Sequence, residues 1–107
     1  MRRGTLITVV APGDFGKPRP ALVIQSDMVD DTASVTLLLL TSSLQVSPYF
    51  RYTVAPSPEN GLRTTSQVQI DKLLSIARAR IGPPIGQLDD GAMIEITRLL
   101  AVFLGIA

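Results

Sequence analysis

The chain has 107 residues, 46% hydrophobic and 18% charged, with a net charge of +1. This suits one domain with a modest core, is too apolar for a disordered chain, and carries no global field strong enough to draw in nucleic acid. With no cysteine and no histidine, disulfides and thiolate metal sites are excluded, along with the commonest metal ligand and the commonest general base; no metal site and no cofactor are expected.

Gly4 to Val10 is short and β-branched and reads as a first strand. Ala11 to Lys17 holds Pro12, Gly13, Asp14 and Gly16 and reads as a mobile loop, with Phe15 expected to pin it to the core. Lys17-Pro18-Arg19-Pro20 then opens a second strand to Gln25. Each proline fixes its own φ and biases the residue before it toward extended backbone. The result is a stiff entry that aims the Arg19 guanidinium from a strand mouth, suited either to a phosphate or carboxylate or to ordinary solvent exposure. Apart from Lys17 and Lys72 every basic residue is arginine, which favours planar, bidentate recognition.

Ser26 to Ser34 is a polar turn, and Val35 to Leu40 a third strand, continuously apolar and so buried on both faces. It stops at Thr41-Ser42-Ser43, whose hydroxyls either donate to an anion or cap the strand. Phe50 to Val54 is a fourth strand and Ala55 to Gly61 a loop. Ser66 to Lys72 alternates with Val68 and Ile70 inward, and Leu73 to Ala77 continues as another strand after a bend. Arg78 and Arg80 share a face if the backbone is extended, turned to RNA or to water. Ile81 to Leu88, with Gly82, Pro83, Pro84 and Gly86, reads as irregular. Asp89 is a good N-cap for a helix with Ile96, Leu99, Leu100 and Phe103 on one face, Met93 and Leu104 at its edges, and Gly105 as its stop. The expected architecture is a single β-rich α+β domain over residues 1–107, a curled antiparallel sheet with a C-terminal helix. No signal peptide or spanning helix is read from the sequence, so a cytoplasmic location without membrane contact is expected.

The segment Gly13-Asp-Phe-Gly-Lys-Pro-Arg-Pro-Ala-Leu-Val-Ile-Gln-Ser-Asp27 resembles the signature of the MazF/PemK toxins. Leu39-Leu40-Thr41-Ser42 is similar to that family's third-strand end, and Ser66-Gln67-Val68-Gln69-Ile70-Asp71-Lys72 to its Gln-to-Asp-Lys strand. Arg78-Ala79-Arg80-Ile81-Gly82, Gly86-Gln87-Leu88 and the final Leu104-Gly105 fit its ending. The resemblance implies an SH3-like small barrel working as a homodimer, the toxin of a type II toxin–antitoxin pair. It implies metal-independent cleavage of single-stranded RNA, with Arg19 and Thr41 catalytic and Gln67 near the RNA groove. It also implies an antitoxin whose C-terminal tail lies in that groove. Lys17, Ser42, Arg78 and Arg80 complete the candidate RNA contacts. Two other readings stand beside it: a CcdB-like toxin that binds DNA gyrase and cleaves nothing, and an SH3-like adaptor without activity.

Overall fold

In the computed structural model, which describes residues 1–13, 15–47 and 49–107, one antiparallel sheet carries the fold. Its strands are β1 (Thr5–Val9), β2 (Arg19–Val23), β3 (Ser34–Thr41), β4 (Arg51–Val54), β5 (Ser66–Ala77) and β6 (Ile81–Gln87), followed by one helix, α1 (Asp90–Leu104). The order across the sheet is β4-β5-β3-β2-β1-β6.

The continuous apolar run in β3 serves both faces of the sheet, because successive side chains of a strand point opposite ways. Leu38 and Leu40 join Leu6, Leu22, Val68 and Ile70 on the face covered by Ala92, Met93 and Ile96 of α1. Val35 and Leu37 join Ile7, Val9, Ala21, Val23 and Ile76 on the other. No helix covers this second group, yet each of its members is at most 3% exposed. The sheet therefore curls so that this face packs on itself, a small barrel.

The helix begins where the sequence predicts. Asp89 Oδ1 accepts from the Ala92 N–H at 2.7 Å, a cap worth about 1 kcal/mol, and the helix ends at Gly105. Its apolar stripe is covered only in the first part. Beyond Leu100, Phe103 and Leu104 stay 43% and 47% exposed. Phe103 meets the edge of Phe50, ring centroids 5.8 Å apart.

Four expectations need correction. Ile81 to Leu88 is regular: Ile81–Gln87 forms β6, an edge strand whose single strand partner is β1. An edge position tolerates proline, and Pro84 stands opposite Ile7 beside irregularities in the register. Leu73 to Ala77 is no separate strand. It continues β5, and the bend appears as a bulge where β3 advances from Leu38 to Leu40 while β5 goes from Leu73 to Val68. Phe15 does not pin its loop. It is fully exposed, at φ 52°, so its ring packs on no part of the core. Arg78 and Arg80 lie in a 3₁₀ turn rather than extended backbone. Asp14 of the signature segment lies outside the described residues.

The β4–β5 connection, residues 55–65, is a strap that reaches from one edge of the sheet to the other. The Gln87 N–H donates to the Glu59 carbonyl at 2.9 Å, which covers β6 on its outer side. Two glycines make the crossing possible. A Cβ on Gly86 would stand 2.3 Å from the Asn60 backbone, and one on Gly61, at φ 68°, would stand 1.9 Å from the Ile85 carbonyl oxygen. Backbone cannot move aside as a side chain can. Gly86→Ala should therefore cost about 3 kcal/mol, the upper end of ordinary overpacking, read as a lower urea midpoint. An unchanged midpoint would contradict the strap contact.

Candidate active site

The β2–β3 register is Ala21↔Leu39, Leu22↔Leu38 and Val23↔Leu37. Paired numbers sum to 60, so two residues further on Arg19 stands opposite Thr41. Antiparallel partners share a face, and Thr41 itself pairs with Gln67 of β5. Three strands thus set Arg19, Thr41 and Gln67 in a row at one end of the sheet. Arg19 and Thr41 are half-buried, and Gln67 is buried.

This end opens into a cleft of about 730 Å³. One wall is Lys17 to Pro20 with Thr41, Ser42 and Ser43; the other is the strap, Gly61 to Thr64, with Ser66 and Ile85. Its charged lining is Lys17, Arg19 and Arg63, and its hydroxyls come from Thr8, Thr41, Ser42, Ser43, Thr64 and Ser66. No carboxylate lines it among the described residues. Two other cavities differ in character. One, of about 380 Å³, sets Arg2 and Arg78 against Asp27 and Asp30. The other, of about 450 Å³, holds Glu59 and Asp89 with no cation. A cleft lined by cations and hydroxyls, with no described carboxylate, attracts a polyanion. Among the described residues no three Asp or Glu side chains gather into a metal-binding group. Asp71 is exposed and does not line the cleft.

The cleft brings together Lys17, Arg19, Thr41 and Ser42 of the residues predicted from the sequence. Gln67 lies next to Thr41 but turns its amide to the protein. Its Oε1 accepts from the Gln45 N–H at 3.0 Å and Arg51 Nη1 at 3.4 Å. Its Nε2 donates to the Gln45 carbonyl at 2.9 Å and Thr53 Oγ1 at 3.1 Å. With all four hydrogen-bonding positions taken, Gln67 holds the loop that leaves Thr41. Arg78 and Arg80 are not brought in. Arg78 donates to the Thr32 and Asp30 carbonyls, beyond the Ser34 end of β3, on the order of 20 Å along the strand from Thr41. Arg80 is exposed and lines no part of the cleft. Arg63, Thr64, Ser66 and Thr8 were missed. Their pattern in the sequence carries no signal, because only the strap's crossing to β6 brings Arg63 and Thr64 to the mouth.

The fold is an SH3-like curled barrel with one C-terminal helix, and its site is a cationic, hydroxyl-rich cleft at a strand end. The chain belongs to the PemK-like, MazF-like toxins of type II toxin–antitoxin systems, whose family model matches residues 2–104. It is 44% identical to a probable endoribonuclease MazF of Mycolicibacterium smegmatis, over 100% of this chain and 99% of that one. In fold it is similar to an endoribonuclease solved in complex with its cognate antitoxin from a mycobacterial species, with TM-score 0.82, 23% identity, and 100% and 97% of the two chains covered. It is also similar to the Mycobacterium tuberculosis toxin MazF-mt6, with TM-score 0.82, 19% identity, and 96% and 98% covered. A crystal structure of MazE–MazF from Deinococcus radiodurans gives TM-score 0.75 at 20% identity, with 100% and 98% covered. These matches favour the PemK/MazF branch over the CcdB-like alternative. No helix is long and apolar enough to cross a membrane among the described residues.

Gln67→Leu would strip the Gln45 backbone and Thr53 of their partners. It should cost about 1–3 kcal/mol and speed hydrogen exchange at the Gln45 amide. Exchange at the wild-type rate would show that the loop is held by something else.

Proposed function

We propose that this chain is an endoribonuclease toxin that cleaves single-stranded RNA without a metal. The observation that carries the reading is that Arg19 and Thr41 line one cleft that has three cations and no described carboxylate, at the end of two strands whose register, extended by two residues, sets them opposite each other. The 2′-oxygen attacks the adjacent phosphorus, the bond to the 5′-oxygen breaks, and negative charge gathers on the non-bridging phosphate oxygens. Arg19 presents a forked cation to those oxygens and Thr41 a hydroxyl donor, both oriented before the substrate arrives, so neither reorganises in the transition state. Arginine stays protonated and threonine is no base. With no carboxylate or imidazole among the described lining residues, the proton leaving the 2′-hydroxyl and the one reaching the 5′-oxygen exchange with water. The products are a 2′,3′-cyclic phosphate, which can open to a 3′-phosphate, and a 5′-hydroxyl.

The partners follow from the same features. The likeness to an endoribonuclease solved with its cognate antitoxin supports an antitoxin whose C-terminal tail, acidic or apolar, occupies the cleft and competes with RNA. The exposed apolar residues Leu44, Val46, Phe50, Phe103 and Leu104 support a homodimer. We read residues 1–107 as one toxin domain acting in the cytoplasm, with Lys17 and Ser42 contacting RNA beside the catalytic pair. Sedimentation at micromolar concentration should give a dimer; a monomer alone would count against it.

The test is a variant series on mixed RNA in the presence of chelator. Arg19→Ala should lower the cleavage rate about 10²–10³-fold, the cost of losing one preorganised donor to a developing oxyanion. Arg19→Lys should be nearly as slow, since it keeps the charge and loses the fork. Thr41→Val should be slow with the shape kept. All three should melt with the wild type, because a strand-mouth side chain contributes little to the core. A folded, fully active Arg19→Ala, or a wild type that needs magnesium and leaves a 5′-phosphate, would end this reading.

A further inference from the structure

The cleft holds a residue that the catalytic pair does not account for. Most arginines with described partners serve the fold. Arg3 bonds the Ile24 carbonyl and Thr97 Oγ1, Arg51 reaches Ser43 and Gln67, and Arg78 ties down the Asp30 and Thr32 carbonyls. Arg63 is exposed, lines the cleft, and makes no hydrogen bond or ion pair with any described residue.

Its backbone, by contrast, is firmly held from both sides. Asn60, 5% exposed, accepts from the Ser57 and Leu62 N–H groups at 3.0 and 2.9 Å and donates to the Ala55 carbonyl at 2.9 Å. The Leu62 side chain is buried in the core on the helix side. On the other flank, the buried Ser66 donates from Oγ to the Thr64 carbonyl at 3.0 Å. The glycine contacts of the strap lock the segment against β6. A fixed backbone carrying a cation with no described partner into a cleft with no described carboxylate is preorganised for an anionic ligand, because part of the ordering cost is met before binding.

We infer that Arg63 binds a phosphate of the substrate RNA next to the scissile one, so that the strand runs from Arg19 and Thr41 toward the strap. The inference rests on the endoribonuclease reading and adds to it a binding residue on the wall opposite Lys17. Arg63 acts here as a charge on a flexible stem, with no partner among the described residues to fix a bidentate fork. Its chemical demand is therefore looser than that of Arg19, and lysine should serve.

The test uses an RNA oligonucleotide that wild-type protein cleaves at one mapped site, and its analogue with deoxyribose at the scissile 2′-position, which binds but cannot be cut. Arg63→Ala should weaken binding of the analogue about tenfold at low salt. It should also flatten the slope of log Kd against log salt by about 0.7, as expected when one phosphate fewer is neutralised on a single strand. On the cleavable RNA, kcat/KM should fall by a similar factor, carried by KM rather than kcat. Arg63→Lys should restore most of both, unlike Arg19→Lys. Melting should not move. Wild-type affinity and salt slope in Arg63→Ala, a loss confined to kcat, or a lowered melting temperature that explains the loss would each overturn the inference while leaving the endoribonuclease reading in place. Wild-type protein that neither binds nor cleaves RNA would overturn that reading and this inference with it.

Discussion

The pairing of β2 with β3 at Ala21↔Leu39 decides what stands at the mouth of the sheet. A strand has a side-chain period of two, so a slip of one residue would send Leu40 rather than Thr41 to the row with Arg19. Both faces of this pairing are buried, and Ala21, Leu22, Leu37 and Leu38 are each 0% exposed. The register is therefore fixed by packing: a slip would exchange side chains between two closely packed faces, at about 1–3 kcal/mol for each misfit. Arg19 and Thr41, the proposed catalytic pair, inherit their geometry from this apolar lock. Pro18 and Pro20 add stiffness at the point where Arg19 leaves the core.

The second constraint is closure. An open six-stranded sheet has two edges, and an uncovered edge invites pairing with other chains. The strap answers this at β6 by backbone contact through Gly61 and Gly86 and the bond from Gln87 to Glu59. In doing so it forms the far wall of the cleft. Fold stability and the shape of the site thus depend on one crossing, which links a steric fact about two glycines to where a substrate could lie. Gln67 does similar work on the near side, where its side-chain amide takes the place of a missing strand along the backbone of Gln45.

Much of this was legible in the chain. The β3 run announced a strand buried on both faces, Asp89 and Gly105 marked the helix ends, and the proline fence singled out Arg19. What was not legible depends on long-range placement. The Gly and Pro content of Ile81 to Leu88 argues against regular structure locally, but an edge strand paired on one side accepts it. Arg63 looks like any loop arginine until the strap is seen to cross the sheet. The family resemblance put Gln67 near the RNA groove, but gave no sign of its pairing with Thr41 or of its burial, which depends on a loop folding back from the end of β3. Phe15 was expected to seek the core, but its ring is fully exposed.

Chemically, Arg19 and Thr41 matter only if they act on the same phosphate. A double-variant cycle addresses this most directly, comparing single-turnover cleavage of one RNA site by wild type, Arg19→Ala, Thr41→Val and the protein carrying both changes. Two donors that stabilise one developing charge are coupled, so removing the second after the first should cost little more, and the double variant should cleave within a few-fold of the slower single variant. Losses that multiply in full would show that the two residues act independently, and would contradict the assignment of a shared scissile phosphate.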